Sequence, residues 1–288
     1  MLDYASGHSM KIGIVTDSTC DIPAWLVEQH EVAVIPSVLV MEGVEYVDGR
    51  DLSREEFYRR LPALREAPTT ASSSPAEFAA AYESLLGRGC ERVLSLHAAG
   101  NLTSILNTAQ QAAQAFGERV HCLDSGSLSL GLGFQVLAAA EAAEDGWQAV
   151  LRAVESTRRR LRVSAALDTM KYLKKSGRVP GAVAALGGLL SIKPMIELSE
   201  GEVKAIAAAR TRQQADARML NFLLESGPLE RLAILHSNAE GRARGFLERA
   251  MDRASRSMPR DILMVNVTSL IGTHVGPNGL GFACVTGR

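Results

Sequence analysis

Short apolar runs that end in polar clusters recur along the first half of the chain. Residues 11–15 (KIGIV) form an apolar, β-branched run that is typical of a strand covered on both faces. The segment that follows, residues 16–23 (TDSTCDIP), is rich in hydroxyl and carboxylate groups and leads into a short stretch that predicts a helix. The same order is found after residues 91–96 and after residues 120–123. The repeated unit is therefore strand, polar turn and helix.

This alternation predicts an α/β fold, with a further strand over residues 32–41. We expect residues 10–162 to form an N-terminal three-layer α/β domain with a largely parallel sheet and hydroxyl-rich strand ends. From Val163 the pattern changes to strands joined by hairpins, with helices between them. A hairpin is expected to join residues 193–197 with 203–209. The last two strands are predicted over 261–269 and 281–286, which places His274 between a strand and a Gly-Pro turn. Residues 163–288 are therefore expected to form a second α/β domain with a mixed sheet.

The hydroxyl groups at the strand ends suggest a binding function. In open α/β sheets, ligands bind beyond the carboxyl ends of the strands, where helix N-termini point free N–H groups. Several Ser and Thr residues at such ends indicate one polar floor for a small anionic or hydroxylated group. Each hydroxyl taken singly is better explained as a cap, as Ser74 is by the capping box it forms with Glu77. A second capping box is predicted for Ser53 with Glu56. Residues 69–73 (TTASS) have no such explanation.

Composition and charge narrow the class of protein. The chain is 47% hydrophobic and 22% charged, as in globular proteins, and its net charge of −1 gives no basic field for nucleic acid. The arginine cluster at 158–162 lies near a predicted helix end and is interpreted as a solvated terminus. No apolar run has transmembrane length, so we expect no stable membrane insertion.

The four cysteines show neither metal-ligand nor redox spacing. They are expected to be free thiols in a reducing compartment. The first ten residues lack the charged and apolar regions of a signal peptide. A cytoplasmic location is therefore expected.

Four further segments stand out for their small and polar residues. They are residues 69–74, 102–104, 176–178 and 271–277. Together with TDSTCDIP they resemble the DegV family of fatty-acid-binding proteins, in order and in approximate spacing. The resemblance covers nearly the whole chain, and although each segment alone is weak, the ordered set is specific.

The resemblance implies roles for individual residues. The hydroxyl groups of Thr70 and Thr103 are expected to bind a fatty-acid carboxylate at the domain interface, with Arg178 and His274 close by. The remaining ligand-binding residues implied are Ala71, Ser104, Gly272 and Thr273. The chain departs from the family pattern where Ala71, Ser72 and Ser73 replace a Ser-Gln-Pro core, where Ser104-Ile105 replaces Gly-Thr, and where Ser176 replaces a glycine.

The residues fit that chemistry without the family name. A carboxylate taken from water needs several charge-assisted donors, which two hydroxyls, a helix N-terminus and a cation at Arg178 or a protonated His274 supply. An acyl tail contributes about 0.8 kcal/mol for each buried CH₂ group. The apolar, small-residue stretch 179–192, which includes Gly187 and Gly188, is a candidate tunnel wall. An ordinary packed helix is an equal alternative for it.

The resemblance implies a carrier that presents a long-chain fatty acid to a separate ATP-dependent fatty acid kinase subunit. The chain has no GxxxxGK[ST] phosphate loop, and no cofactor, metal or catalytic activity of its own is expected. One alternative is an acyl hydrolase or transferase with His274 as base and Thr103 or a serine as nucleophile, although no GxSxG elbow is present. Another is a binder of a small sugar or phosphate.

Several residues have plain structural alternatives. Arg178 could cap the preceding helix, and His274 could bond a backbone carbonyl. His97 and His236, at strand ends, are as well explained by satisfied hydrogen bonds. The basic segment 210–212 is interpreted as a helix start rather than a partner contact.

Overall fold

The structure is a computed structural model that describes residues 10–186 and 192–287. The strands are β1 (Ile12–Asp17), β2 (Ala33–Ile35), β3 (Val38–Met41), β4 (Val44–Val47), β5 (Thr69–Ala71), β6 (Arg92–His97), β7 (Val120–Asp124), β8 (Leu161–Ala166), β9 (Lys193–Ser199), β10 (Glu202–Ala209), β11 (Leu229–His236), β12 (Ile262–Asn266) and β13 (Leu280–Thr286). The helices are α1 (Ala24–Gln29), α2 (Arg54–Arg60), α3 (Pro75–Gly87), α4 (Ile105–Ala113), α5 (Leu130–Glu141), α6 (Trp147–Arg160), α7 (Lys171–Ser176), α8 (Pro180–Ala185), α9 (Arg212–Leu224), α10 (Glu240–Ala254) and α11 (Ser269–Val275).

The first half of the chain is built on a parallel sheet. Its strand order is β2-β1-β6-β7, and every neighbouring pair is parallel. Helices α3 and α4 pack on one face, where Val15 and Val93 point, and α5 covers the other face, where Ile14 and Leu94 point. The apolar character of the β1 and β6 runs follows from this burial on both sides. The predicted α/β fold with a parallel sheet is confirmed.

A separate three-stranded antiparallel sheet, of order β4-β3-β5, was not predicted. The single strand expected over 32–41 is divided at Pro36, because proline cannot donate a ladder hydrogen bond. Residues 69–71, which had no structural explanation, form the edge strand β5, in which Thr70 lies opposite Leu39. The Ser73 hydroxyl donates to the Pro36 carbonyl and fixes the end of that strand.

The second half contains a six-stranded mixed sheet of order β10-β9-β8-β13-β11-β12. All pairs are antiparallel except β11 with β12, and the predicted hairpin of β9 and β10 is present. Helices α9 and α10 cover one face of this sheet. The other face packs towards α5, which therefore lies between the two sheets in one continuous apolar core. β8 begins at Leu161, just before the expected domain boundary.

The segment after β12 differs from expectation. A strand was predicted over 261–269, but β12 ends at Asn266 and α11 begins at Ser269. His274 therefore lies on a helix, whereas the sequence placed it between a strand and a turn. The backbone turns at Gly276, which has φ +74°, and a Cβ atom there would lie 2.1 Å from the Tyr172 ring. This close approach excludes any larger residue.

The capping predictions are confirmed to different extents. At α3 the box is complete, since Ser74 Oγ accepts from Glu77 N and the Glu77 carboxylate accepts from Ser74 N at 2.8 Å. At α2 Ser53 Oγ accepts from Glu56 N at 3.1 Å, but the Glu56 carboxylate pairs with Arg59 instead. Arg59 is one helical turn away, so it competes with the reciprocal half of the box.

Two further expectations concern the chain beyond the sheets. Of the candidate tunnel wall at 179–192, the structure describes α8, and Gly187 and Gly188 lie outside the described residues.

Over residues 10–186 and 192–287, no helix has the length and apolarity needed to cross a membrane.

The packing of α5 between the sheets generates a stability prediction. A Cβ atom at Gly133 would lie 2.6 Å from the Cys20 carbonyl oxygen, whereas nothing lies within 4 Å of one at Gly241 in α10. We expect Gly133→Ala to lower the free energy of unfolding by about 1–3 kcal/mol, because backbone must move. The matched Gly241→Ala is expected to leave it unchanged or raise it by up to about 1 kcal/mol. Urea denaturation measures both; equal effects of the two changes contradict the packing described.

Candidate functional site

A cavity lies between the carboxyl ends of the parallel strands and one face of the mixed sheet. Its volume is about 180 Å³. Most of its wall is apolar, and both halves of the chain contribute to it. Representative apolar lining residues are Leu128, Val163, Ile196, Leu198, Leu235 and Ile271.

The structure brings most of the sequence-predicted site residues to this one cavity. Its lining includes Thr70, Ala71, Thr103, Ser104, Arg178 and His274. These residues come from an edge strand, the loop before α4, the turn after α7, and α11, which are far apart in sequence. Polar groups from both halves therefore meet at a wall that is otherwise mainly apolar.

The loop between β6 and α4 presents Thr103. The N–H groups of Leu102 and Thr103 both donate to the Ala99 carbonyl, at 3.0 and 3.2 Å, which closes the loop. Thr103 Oγ1 accepts a hydrogen bond from Ile105 N at 3.0 Å, at the start of α4. Because that bond uses a lone pair, the hydroxyl hydrogen of Thr103 is left to donate to a ligand.

Thr70 reaches the cavity because of strand alternation. In β5 the neighbours Thr69 and Ala71 are exposed, while Thr70 is half-buried. Within the described residues, its hydroxyl makes no hydrogen bond. Two threonine hydroxyls with available hydrogens thus face the same space.

Arg178 follows the end of α7 and supplies the positive charge. Gly177 ends that helix with φ +63°, and Ser176 Oγ donates to Leu173 O at 2.8 Å and accepts from Arg178 N at 3.3 Å. The Arg178 guanidinium does not cap its own helix. It donates to Leu102 O at 3.1 Å, and so reaches the loop that carries Thr103.

His274 is a neutral group in this site. Its Nδ1 is buried and has no hydrogen-bond partner among the described residues. Burial and, to a smaller extent, the charge of Arg178 together lower the pKa of His274 to about 4. The ring is therefore uncharged at pH 7, which leaves Arg178 as the cation of the two. A buried atom without a partner is costly, so Nδ1 is suited to a ligand atom.

Two of the predicted residues do not line the cavity. Gly272 lies against α2, where a Cβ atom would be 2.5 Å from the Tyr58 hydroxyl. Thr273 Oγ1 donates to Ser269 O at 3.0 Å, within α11. Their position in the sequence next to His274 reflects the packing of α11, and a direct role in ligand contact stays a prediction.

The cavity also has polar lining residues that the sequence did not assign to it, namely Thr19, Ser72, Ser129, Ser164, Ser176, His236 and Ser237. Thr19, His236 and Ser237 lie at or just after a strand end, which was the available signal. Ser164 lies within β8, and its buried Oγ has no hydrogen-bond partner among the described residues. The hydroxyl of Thr19 donates to Asp17, and that of Ser129 donates to Asp21 at 2.7 Å. Both hydroxyls therefore have no hydrogen left to donate to a ligand in the cavity, whereas Thr103 does.

A buried chain of hydrogen bonds resembles a hydrolase triad but is closed to ligands. His97 lies 2.6 Å from Ser95 Oγ through Nε2 and 3.0 Å from Asp17 Oδ2 through Nδ1. Ser95 is completely buried, bonds to Tyr82 at 2.8 Å and does not line the cavity. Burial acts to raise the pKa of Asp17, but the interactions with His97 and the hydrogen bonds from Thr19 and Ala98 together outweigh it, so that pKa is lowered. These hydrogen bonds fix β1 against β6.

Several basic residues in the two segments singled out from the sequence have partners within the described chain. Arg212, in the segment considered for a partner contact, pairs with Asp168 at 2.7 Å. The hydrogen bonds from Arg212 and Lys193, acting against partial burial, lower the pKa of Asp168 to about 2. Arg160, in the arginine cluster, donates to Glu230 and to Thr286 O at 2.5 and 2.6 Å. In the described residues, no group of His, Cys, Asp and Glu is suited to a metal ion.

Comparisons with known proteins agree on one family. Residues 11–287 match the family described as uncharacterised proteins of the DegV family. A DegV domain-containing protein of Deinococcus radiodurans is 35% identical over 283 residues, which are 95% of this chain and 98% of the relative.

Solved structures of that family are similar throughout. A Thermus thermophilus DegV family protein described by its fatty acid binding is 34% identical, with a TM-score of 0.88 over 96% of this chain and 100% of its own. DegV of Bacillus subtilis, described as a fatty acid binding protein, is 28% identical, with a TM-score of 0.84 over 96% of this chain and 100% of its own.

The neutrality of His274 predicts a pH dependence of stability. Its pKa is about 4 in the folded chain against 6.5 for the free side chain, so between these values the unfolded chain binds a proton that the folded chain does not. Acidification from pH 6.5 to 4 should therefore lower the free energy of unfolding through this group, by about 1–3 kcal/mol. His274→Gln should lose less stability over that range. A ring that titrates near 6.5 by NMR in the ligand-free protein contradicts this.

Proposed function

The chain belongs to the DegV family, and on that premise we propose that it binds one long-chain fatty acid in the cavity described above. In this proposal the carboxylate bonds to Thr70 and Thr103 near Arg178 and His274, and the tail lies along the apolar wall. Support comes from the fatty acid binding described for the Thermus thermophilus and Bacillus subtilis relatives.

The observation that carries the proposal is the distribution of available donors. The hydroxyl hydrogens of Thr70 and Thr103 are not used inside the described chain, and Arg178 supplies a charge at the same wall. By contrast, Thr19 and Ser129 direct their hydrogens at buried aspartates. A carboxylate accepts hydrogen bonds and is repelled by lone pairs. It is therefore stabilised beside Thr70 and Thr103 and not beside Thr19 and Ser129.

The apolar wall accounts for the remainder of the ligand. A chain of 16 carbons contains about 14 CH₂ groups, so its burial contributes on the order of 10 kcal/mol before the cost of association. A sugar or phosphate could use the donors but not these walls. The tail therefore supplies most of the affinity, and the head group fixes the direction in which the acid lies.

We further propose that the protein acts in the cytoplasm as a carrier for a separate ATP-dependent fatty acid kinase, which forms the acyl phosphate. Arg178 is exposed and is shared with a second groove that includes Asn101, Pro180 and Lys204. A carboxylate beside Arg178 therefore lies near the surface, where a second protein can reach it. The sequence contains no phosphate loop that could bind ATP itself.

A first prediction of this proposed function concerns the binding of the carboxylate, and a matched pair of threonines on β5 tests it. Thr70→Val removes a hydroxyl from the cavity wall, whereas Thr69→Val removes one from the exposed face of β5. We expect Thr70→Val to weaken palmitate binding about 10-fold, because one charge-assisted hydrogen bond is lost. Thr69→Val should bind as the unaltered protein does. Isothermal titration calorimetry measures both affinities, and equal affinities for the two variants contradict the assignment.

The second prediction identifies the ligand. Native mass spectrometry of the purified protein is expected to show a 1:1 complex, and an organic extract should contain one fatty acid per chain. A protein that carries no lipid and does not bind added palmitate or oleate refutes the proposed function.

The third prediction separates carrier from enzyme. Incubation of the loaded protein with ATP alone should leave the acid unchanged, whereas addition of a fatty acid kinase subunit should yield the acyl phosphate, detected as its hydroxamate. Turnover of an acyl ester by the chain alone, lost in His274→Gln, would instead favour the hydrolase alternative.

A further inference from the structure

A short segment of the second half is held by the first half at every residue. In the segment 266–269, the Asn266 carbonyl accepts from Arg54, and the Val267 carbonyl accepts from the Tyr58 hydroxyl at 3.0 Å. Thr268 N donates to Asp21 at 2.9 Å. The hydroxyls of Thr268 and Ser269 donate to the two oxygens of Asp48, each at 2.7 Å. We call Asp21, Asp48, Arg54 and Tyr58 the clamp.

The clamp is charged and buried. Asp21 is 2% exposed and Asp48 is 8% exposed, and the Arg54 guanidinium lies 2.9 Å from Asp21. Burial raises the pKa of Asp21 to about 6 although Arg54 opposes the shift, so this carboxylate is ionised at pH 7. Buried charges of this kind are tolerated only when they are paired and fully hydrogen-bonded. The segment 266–269 supplies bonds that the clamp needs, so the two are mutually dependent.

The clamped segment leads directly into the cavity wall. Thr268 is the N-cap residue of α11, and Val267, Ile271 and His274 line the cavity. Gly272 rests on Tyr58, where a Cβ atom would lie 2.5 Å from the hydroxyl oxygen. The start of α11 is thus fixed by hydrogen bonds, and its middle is fixed by contact with α2. Both restraints come from residues that do not line the cavity.

We infer that the clamp is a positioning element for the ligand, which holds α11 so that His274 and the apolar side chains of α11 face the fatty acid. This inference rests on the proposed function. It assigns a role in binding to Asp21, Asp48, Arg54 and Tyr58, none of which touches the cavity. Its consequence is that loss of a clamp bond weakens ligand binding without removing any ligand contact.

The test uses an isosteric change with a conservative partner. Thr268→Val removes the hydroxyl that donates to Asp48 and keeps the shape of the side chain, whereas Thr268→Ser keeps the hydroxyl. Tyr58→Phe removes the bond to Val267 O independently. The matched control is Glu141→Gln, which weakens the Arg231–Glu141 ion pair between the two halves, at 43% exposure and away from the cavity.

Two quantities are measured on each full-length variant: the affinity for palmitate, and the hydrogen exchange of the α11 amides without ligand. We expect Thr268→Val and Tyr58→Phe each to weaken affinity about 10-fold and to speed exchange in α11, because a buried acceptor loses its donor. Thr268→Ser should keep the palmitate affinity and the α11 exchange rate of the unaltered protein, and Glu141→Gln should change neither quantity. Added palmitate should slow exchange in α11 of the weakened variants.

The outcomes that overturn the inference are distinct from failure of the proposed function. If α11 exchanges faster in Thr268→Val while palmitate affinity stays within about 2-fold, the clamp is structural only and the inference is wrong. It is also wrong if Glu141→Gln weakens binding as much, since the effect is then one of general stability. If the unaltered protein binds no fatty acid at all, the proposed function fails and the inference fails with it.

Discussion

Two buried carboxylates near the carboxyl end of the first strand join the parts of the molecule that form the cavity. Asp17 accepts hydrogen bonds from His97 and from Ala98 N at 3.1 Å, and thereby fixes β6 and its loop against β1. Asp21 accepts from Ser129 ahead of α5 and from Thr268 N ahead of α11. Because an ionised group without donors cannot stay buried, each aspartate requires those segments to be in place.

The two halves of the chain contribute different kinds of groups to the cavity. Strand ends and helix starts carry hydroxyls and N–H groups, so loops of the first half supply donors near Thr70 and Thr103. The inner face of the mixed sheet offers apolar side chains such as Leu198 and Leu235, which suit an acyl chain but give it no direction. In the proposed complex, the orientation of the fatty acid depends on both halves of the chain, since Arg178 and His274 belong to the second half.

The sequence predicted those elements whose pattern reflects local burial. β1 and β6 are apolar because both faces are covered, and α3 begins where its capping box predicts. β5 was missed because three residues of an edge strand carry no periodicity, and they form a strand only by pairing with β3. Similarly, α11 was missed. Residues 261–269 were predicted as a strand and the residues after them as a connection, whereas the start of α11 is fixed by bonds from residues more than 200 positions earlier.

For the site, the sequence alone indicated a class of ligand chemistry, and the family resemblance indicated which residues would carry it. Hydroxyls, a cation and an apolar stretch favour an amphipathic anion, and this stays a prediction. Only the tertiary structure decided which hydroxyls have a hydrogen to donate, as Thr103 does and Ser129 does not. It also decided that His274 is neutral and that Gly272 packs against α2. Hydrogen-bond direction, protonation and close packing depend on neighbours distant in sequence, and those neighbours meet only in the folded chain.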